Sequence, residues 1–254
     1  MTASIKQRIA RLEALDFGPT YTEDIRIGIS PLNETPPAGA GATVMPGTTI
    51  AFSDDIPADL RGDLEDAILL SSMAADQKAT RRYPSREWYT EYQGWLENCG
   101  FLIQSTAFQR RSTTKSVFKI ADEALDIIGA VTGGTAALSV LQSTLMALSE
   151  KADDDGLIAL FESETKNAGD GAFQLGQASL SGEGRAVLPF GLFAFRSTSI
   201  KKKFLFFSWD KDAVELFASA SSAIFTQADY APLRDQVNSL IANRRKERLS
   251  RLTI

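Results

Sequence analysis

Ile120-Ala-Asp-Glu-Ala-Leu-Asp-Ile-Ile-Gly-Ala-Val-Thr-Gly-Gly-Thr-Ala-Ala-Leu-Ser-Val-Leu-Gln-Ser-Thr-Leu-Met-Ala-Leu148 is the stretch whose reading decides the fold. Ile120, Ala124, Ile127, Val131, Gly134, Leu138, Leu141, Leu145 and Leu148 recur at three-four spacing, which sets them on one stripe of a helix. Asp126 is the last charge before Glu150, so the other face is neutral too. A segment apolar on one side and uncharged on the other belongs inside something. The length suits a bilayer span. Thr132, Gly133, Gly134, Thr135, Ser139, Gln142, Ser143 and Thr144 dilute its apolarity, however, and neither an aromatic belt nor a basic flank follows. The expectation is one long central helix in a protein core, with Gly133-Gly134 marking close packing or a kink. A helix buried in solution that enters a membrane after rearrangement stays open beside it.

Around this helix the chain reads as α+β. Ser4–Leu15 is a short amphipathic helix, Tyr21–Ile29 alternates like a strand, and Pro31–Thr49 is a Pro/Gly-rich loop. This divides the chain into an N-terminal helix, arm and loop over 1–49 and a single α+β domain over 50–254. Asp59–Thr80 is helical, with Leu60, Leu64, Ala67, Ile68 and Met73 inward. A second helix from Pro84 carries the aromatic group Trp88, Tyr89, Tyr92 and Trp95 and stops at Cys99-Gly100. Phe101–Phe108 reads as a strand. Gly171–Thr226 reads as an antiparallel meander: Phe173–Leu180, Arg185–Arg196, an interior strand Phe204–Trp209, and Ala213–Phe225, a strand or a helix, with strand favoured because Ser219–Ser222 lacks a helical stripe. A closing helix buries Leu233, Val237, Leu240 and Ile241 and ends in Arg244, Arg245, Lys246, Arg248 and Arg251. The fold expected is an antiparallel meander of about five strands covered by helices, with the long apolar helix at its centre.

Composition narrows the chemistry. The chain has no histidine and one cysteine. It therefore carries no Ser-His-Asp or Cys-His machinery and no thiolate zinc or iron–sulfur site. What remains for catalysis is carboxylate pairs, Ser-Lys arrangements or oxygen-ligated metals. Asp122 with Glu123 and Glu162 with Glu164 are such pairs, without acid/base asymmetry. The net charge of −5 speaks against a nucleic-acid partner, and Lys201-Lys202-Lys203 beside Phe204–Trp209 reads as a solvated turn. Lys151–Glu162 follows the calcium-loop template, with Asp153, Asp155 and Glu162 as ligands and Gly156 at the turn. Lys151 stands where the first carboxylate is required, so an acidic turn capping a short helix is the plainer reading. No cofactor is expected. Cys99 reads as a small buried residue, with S-acylation the alternative. Met1–Leu15 lacks the apolar run of a secretory leader, which places the protein in the cytoplasm or on an export route without a classical signal peptide.

Gly171-Ala-Phe-Gln-Leu-Gly176, Phe190-Gly-Leu-Phe-Ala-Phe195, Phe204-Leu-Phe-Phe-Ser-Trp209 and Tyr230–Val237 resemble small bacterial virulence factors of the Erwinia Evf type, which act in insect guts. The resemblance covers roughly a third of the chain. It implies an α/β protein without catalytic machinery, with lipid attached through a cysteine of the sheet region; here that region has no cysteine, and Cys99 lies far upstream. The leading expectation is a non-enzymatic virulence or toxin-associated protein that engages membrane lipid or a partner toxin subunit. The alternatives are a carboxylate-based hydrolase or transferase and a structural or adaptor subunit of a bacterial complex.

Overall fold

The computed structural model describes residues 3–18, 39–81, 83–106, 108–111, 115–152, 156–163, 165–167, 170–197 and 203–254. The elements are α1 (Ile5–Glu13), β1 (Gly41–Met45), β2 (Thr48–Phe52), α2 (Ala58–Asp76), α3 (Arg86–Asn98), β3 (Phe101–Ser105) and β4 (Gln109–Arg111). They continue with β5 (Val117–Lys119), α4 (Ile120–Gly129), α5 (Ser139–Glu150), α6 (Gly156–Ser163), β6 (Lys166–Asn167) and β7 (Asp170–Leu180). Last come β8 (Ala186–Ser197), β9 (Ser208–Asp210), β10 (Val214–Phe225), α7 (Gln227–Tyr230), α8 (Arg234–Arg248) and β11 (Ser250–Thr253).

One sheet runs through the middle in the order β11-β1-β2-β7-β8-β10-β3, with β4 also on β10 and β6 on β7. Among the described residues only the β2–β7 neighbours run parallel; the other pairs are antiparallel. Alternate side chains leave a strand on opposite faces, and here both faces are covered. On one, Ile50, Phe52, Ala172, Leu188, Phe190 and Leu192 pack under α1, α2, α3 and α8. On the other, Ala51, Phe173, Leu175, Phe193, Phe195 and Leu216 pack under α4, α5 and α6 and the two-stranded ribbon β5–β9. Burial on both faces explains why Phe173–Leu180 and Ala186–Phe195 are apolar or small at nearly every position.

Local chemistry accounts for the element ends. Ser4 and Gln7 form a capping box on α1. The β1–β2 hairpin turns on Pro46-Gly47, where Gly47 takes φ +67°, a conformation glycine adopts without strain. β7 and β8 are joined by a turn around Ser181–Arg185.

Several expectations are corrected. The 120–148 segment is not one long helix: α4 stops at Gly129, a 3₁₀ turn spans Thr135–Leu138, and α5 begins at Ser139. The sheet, nine-stranded among the described residues, is not a five-strand meander. Strand β1 and the start of β2 lie in the stretch read as a loop, because Ala42, Val44, Thr43 and Met45 are fully buried between the two layers. Phe204–Trp209 is not an interior strand. Residues 203–206 form a turn whose Phe204 stacks on Phe195 at 4.6 Å, and only Ser208–Asp210 pairs, with β5. The closing helix is interrupted: α7, a 3₁₀ turn holding Pro232, then α8. The arm at 21–29 lies outside the described residues, as do positions 31–38 of the loop.

Candidate functional site

From the end of α4 through α5, residues 127–149 form an outer surface without charge, bounded by exposed Asp126 and Glu150. The apolar stripe of 120–148 is inward as expected: Ile120, Ala124, Ile127, Leu138, Leu141, Leu145 and Leu148 are buried. Gly134 N donates to Gly129 O at 2.9 Å, and Gly133 and Gly134 hold φ +83° and +134°, closing a turn that ends α4. A Cβ on Gly129 would stand 3.0 Å from Thr135 Cγ2, a tight contact where the chain doubles back against α4. Gln177, on β7, then fastens α5. Its Oε1 accepts from Leu141 N and its Nε2 donates to Ala137 O, both at 2.9 Å. What faces solvent is Ala130, Gly133, Ala136, Ala137, Ser139, Gln142 and Met146, the last 62% exposed. No charge occurs from Ile127 to Ser149. Among the described residues no helix is long and apolar enough to cross a membrane.

Beneath the opposite layer lies a buried charge cluster that periodicity does not reveal. Helix α2 buries Asp63, Glu65 and Asp66 together with Arg61. Glu65 is fully buried. It accepts from Thr43 Oγ1 at 2.6 Å, from Arg61 Nε at 3.3 Å, and from Arg251 Nε and Nη2 at 3.1 and 2.6 Å. Arg234 grips Asp63 bidentately, both bonds at 2.7 Å. Arg245 Nε stands 3.0 Å from Asp66 Oδ1, but the angle is not that of a hydrogen bond. Asp66 is held up to about 7, first by desolvation and then by the neighbouring Glu65 and Asp63 charges, against the pull of Arg245 and Arg251. Each of these acids faces an arginine. The cluster ties α2 to β1, α8 and β11.

The residues singled out in the sequence fall apart in space. Cys99 is fully buried at the end of α3, and burial pushes its thiol up to about 12, far from the nucleophilic thiolate. Asp153 and Asp155 lie outside the described residues, and Glu162 is half-buried on α6. Among the described residues no three His, Cys, Asp or Glu side chains group as metal ligands. Glu123 pairs with Lys115 at 3.1 Å and Asp122 is exposed, whereas Glu164 lies outside the described residues. The aromatic group of α3 packs on the sheet: Trp88 and Tyr92 stack at 5.2 Å, and Tyr89 Oη donates to Phe173 O at 3.2 Å and to Phe193 O. Of the lysine run, Lys203 donates to Ser149 O and Lys151 O at the end of α5.

No protein-family model matches the chain, and no curated protein matches it. Among solved structures it matches one described as "Structure of the Evf virulence factor", with a TM-score of 0.39 and 14% identity over 93% of this chain and 89% of that one. The likeness is a weak structural resemblance.

Proposed function

We propose that this chain is a non-enzymatic, virulence-associated protein that works by docking the uncharged 127–149 face on a partner protein. One observation carries the mode: Ile127–Ser149 reaches solvent along its length without a single charge, and Met146 stands out from it. Interface centres are depleted of charge and enriched in methionine, and the flexible thioether adapts to an apolar surface. The same face has neither the basic residues nor the Trp and Phe that hold an interfacial helix in lipid. A protein surface suits it better than a bilayer. The setting, virulence and a partner toxin subunit, comes from the sequence resemblance to Evf-type factors. The absence of histidine and the arginine pairing of Asp63 and Glu65 support a binding role over acid/base catalysis.

A photo-crosslinking residue in place of Met146, compared with one in place of Leu102 (53% exposed, on β3), tests this in extracts of source and host cells. A discrete adduct at 146 and not at 102 is expected, competed by wild-type protein and not by Met146→Lys. Equal labelling at the two positions, or co-sedimentation with neutral or anionic vesicles in place of an adduct, would overturn it.

A further inference from the structure

A cleft of about 420 Å³ opens on the α4 side of the sheet, where β4, β5 and the β9–β10 turn meet. It has the size of a small-molecule site. Its apolar side is Phe118, Val214 and Leu216, each less than a tenth exposed. Its charged side is Arg110, Arg111, Lys211, Glu123, Asp212 and Glu215. Most of that charge is already engaged. Glu215 accepts from Arg110 at 2.8 Å and from Tyr83 Oη at 3.1 Å, and Glu123 accepts from Lys115 at 3.1 Å. Asp212 and Lys211 are exposed on the turn. Arg111, half-buried, is different: its Nε is sealed from water and has no hydrogen-bond partner among the described residues. A buried donor without an acceptor is rare in folded proteins and costs free energy.

We propose that this cleft binds a small organic carboxylate, the carboxylate on the Arg111 guanidinium and the apolar body against Phe118, Val214 and Leu216. A guanidinium matches a carboxylate two bonds to two, and a slight turn of the fork toward the cleft gives Nε the acceptor it lacks. The apolar floor selects a carboxylate with a hydrocarbon body over a bare anion. The cleft touches α4 only at Glu123, before the charge-free 127–149 stretch, and its binding does not depend on the docking face.

Backbone amide NMR titrations of the full chain test this with benzoate and hexanoate as body-bearing carboxylates, acetate and inorganic phosphate as bare anions, and benzyl alcohol as the uncharged body. Saturable shifts at Arg111, Phe118 and Leu216 are expected from benzoate or hexanoate, with acetate, phosphate and benzyl alcohol at least tenfold weaker. Arg111→Gln should weaken the carboxylate at least tenfold and Arg111→Lys less. Arg86→Gln, on the other side of the sheet, should leave binding unchanged. The amide spectrum of each variant shows whether it is folded, and if Arg111→Gln unfolds, Arg111→Lys carries the comparison. Failure of both carboxylates to saturate, phosphate or benzyl alcohol binding as tightly, or an Arg111→Lys affinity equal to wild type would overturn the assignment.

Discussion

Asp66 makes the fold sensitive to pH through one side chain. Its folded value, about 7, lies above the ordinary 3.8 because burial disfavours the carboxylate. The stability it supports is therefore complete below pH 4 and lost as pH rises through 7. Asp66→Asn, which mimics the protonated acid, should match wild type near pH 4 and be more stable at pH 8. At 1.36 kcal/mol per pH unit the gain is on the order of a few kcal/mol, read by denaturant titration at the two pH values; a variant less stable at pH 8 would refute it. Glu65 matters through its partners: Arg61 and Arg251 depend on it. Glu65→Ala leaves two guanidinia without their carboxylate and should cost about 3–5 kcal/mol, a lowered melting temperature checked by calorimetry. None of this was legible in the α2 sequence. Leu60, Leu64, Ala67 and Ile68 announce the inward stripe, and Asp63, Glu65 and Asp66 look like its solvated back. They are buried because partners 171 and 186 residues onward, Arg234 and Arg251, fold over them. A local period cannot register a partner that distant.

At the scale of elements, continuous periodicity misled where backbone geometry ruled. The apolar stripe runs through Val131 and Gly134 as though the helix did, but Gly133 and Gly134 occupy conformations that L side chains avoid. Gly134→Ala should therefore cost about 1–3 kcal/mol and leave far-UV helicity no higher than wild type; a rise in helicity would show that the two segments can fuse. Phe204 and Leu205 misled for the reverse reason. They are core residues delivered by a turn, and composition alone reads a buried turn as a buried strand. β7 and β8 were legible because long runs of small and apolar residues with a turn signal between them allow little else, whereas β10 read as strand or helix and only the missing helical stripe at Ser219–Ser222 tipped it to strand. Met146 separates stability from binding. Exposed as it is, Met146→Lys should change stability by no more than about 0.5 kcal/mol while abolishing the crosslinked adduct, with thermal denaturation as the control.

The whole molecule holds two apolar cores separated by one sheet, and β7, β8 and β10 line both. The layers should consequently unfold together. Trp88 and Trp95 report one layer and Trp209 the other. Variants retaining only Trp209, or only the α3 pair, should show fluorescence midpoints that coincide with each other and with far-UV circular dichroism; split midpoints would mean two cooperative units. The architecture was half legible: helices and antiparallel strands could be read, but the order in which they lie side by side could not. β1 beside β11 joins Gly41 to Thr253, and no local pattern encodes that pairing.

That pairing also orders events at the ribosome. Until residues 250–253 emerge, β1 presents a bare edge, and Glu65 waits without Arg251 beneath a half-assembled layer. Residues 46–249 must all be made before β1 meets β11. A chaperone that shields β1 during synthesis would protect an edge that stays open over that whole interval.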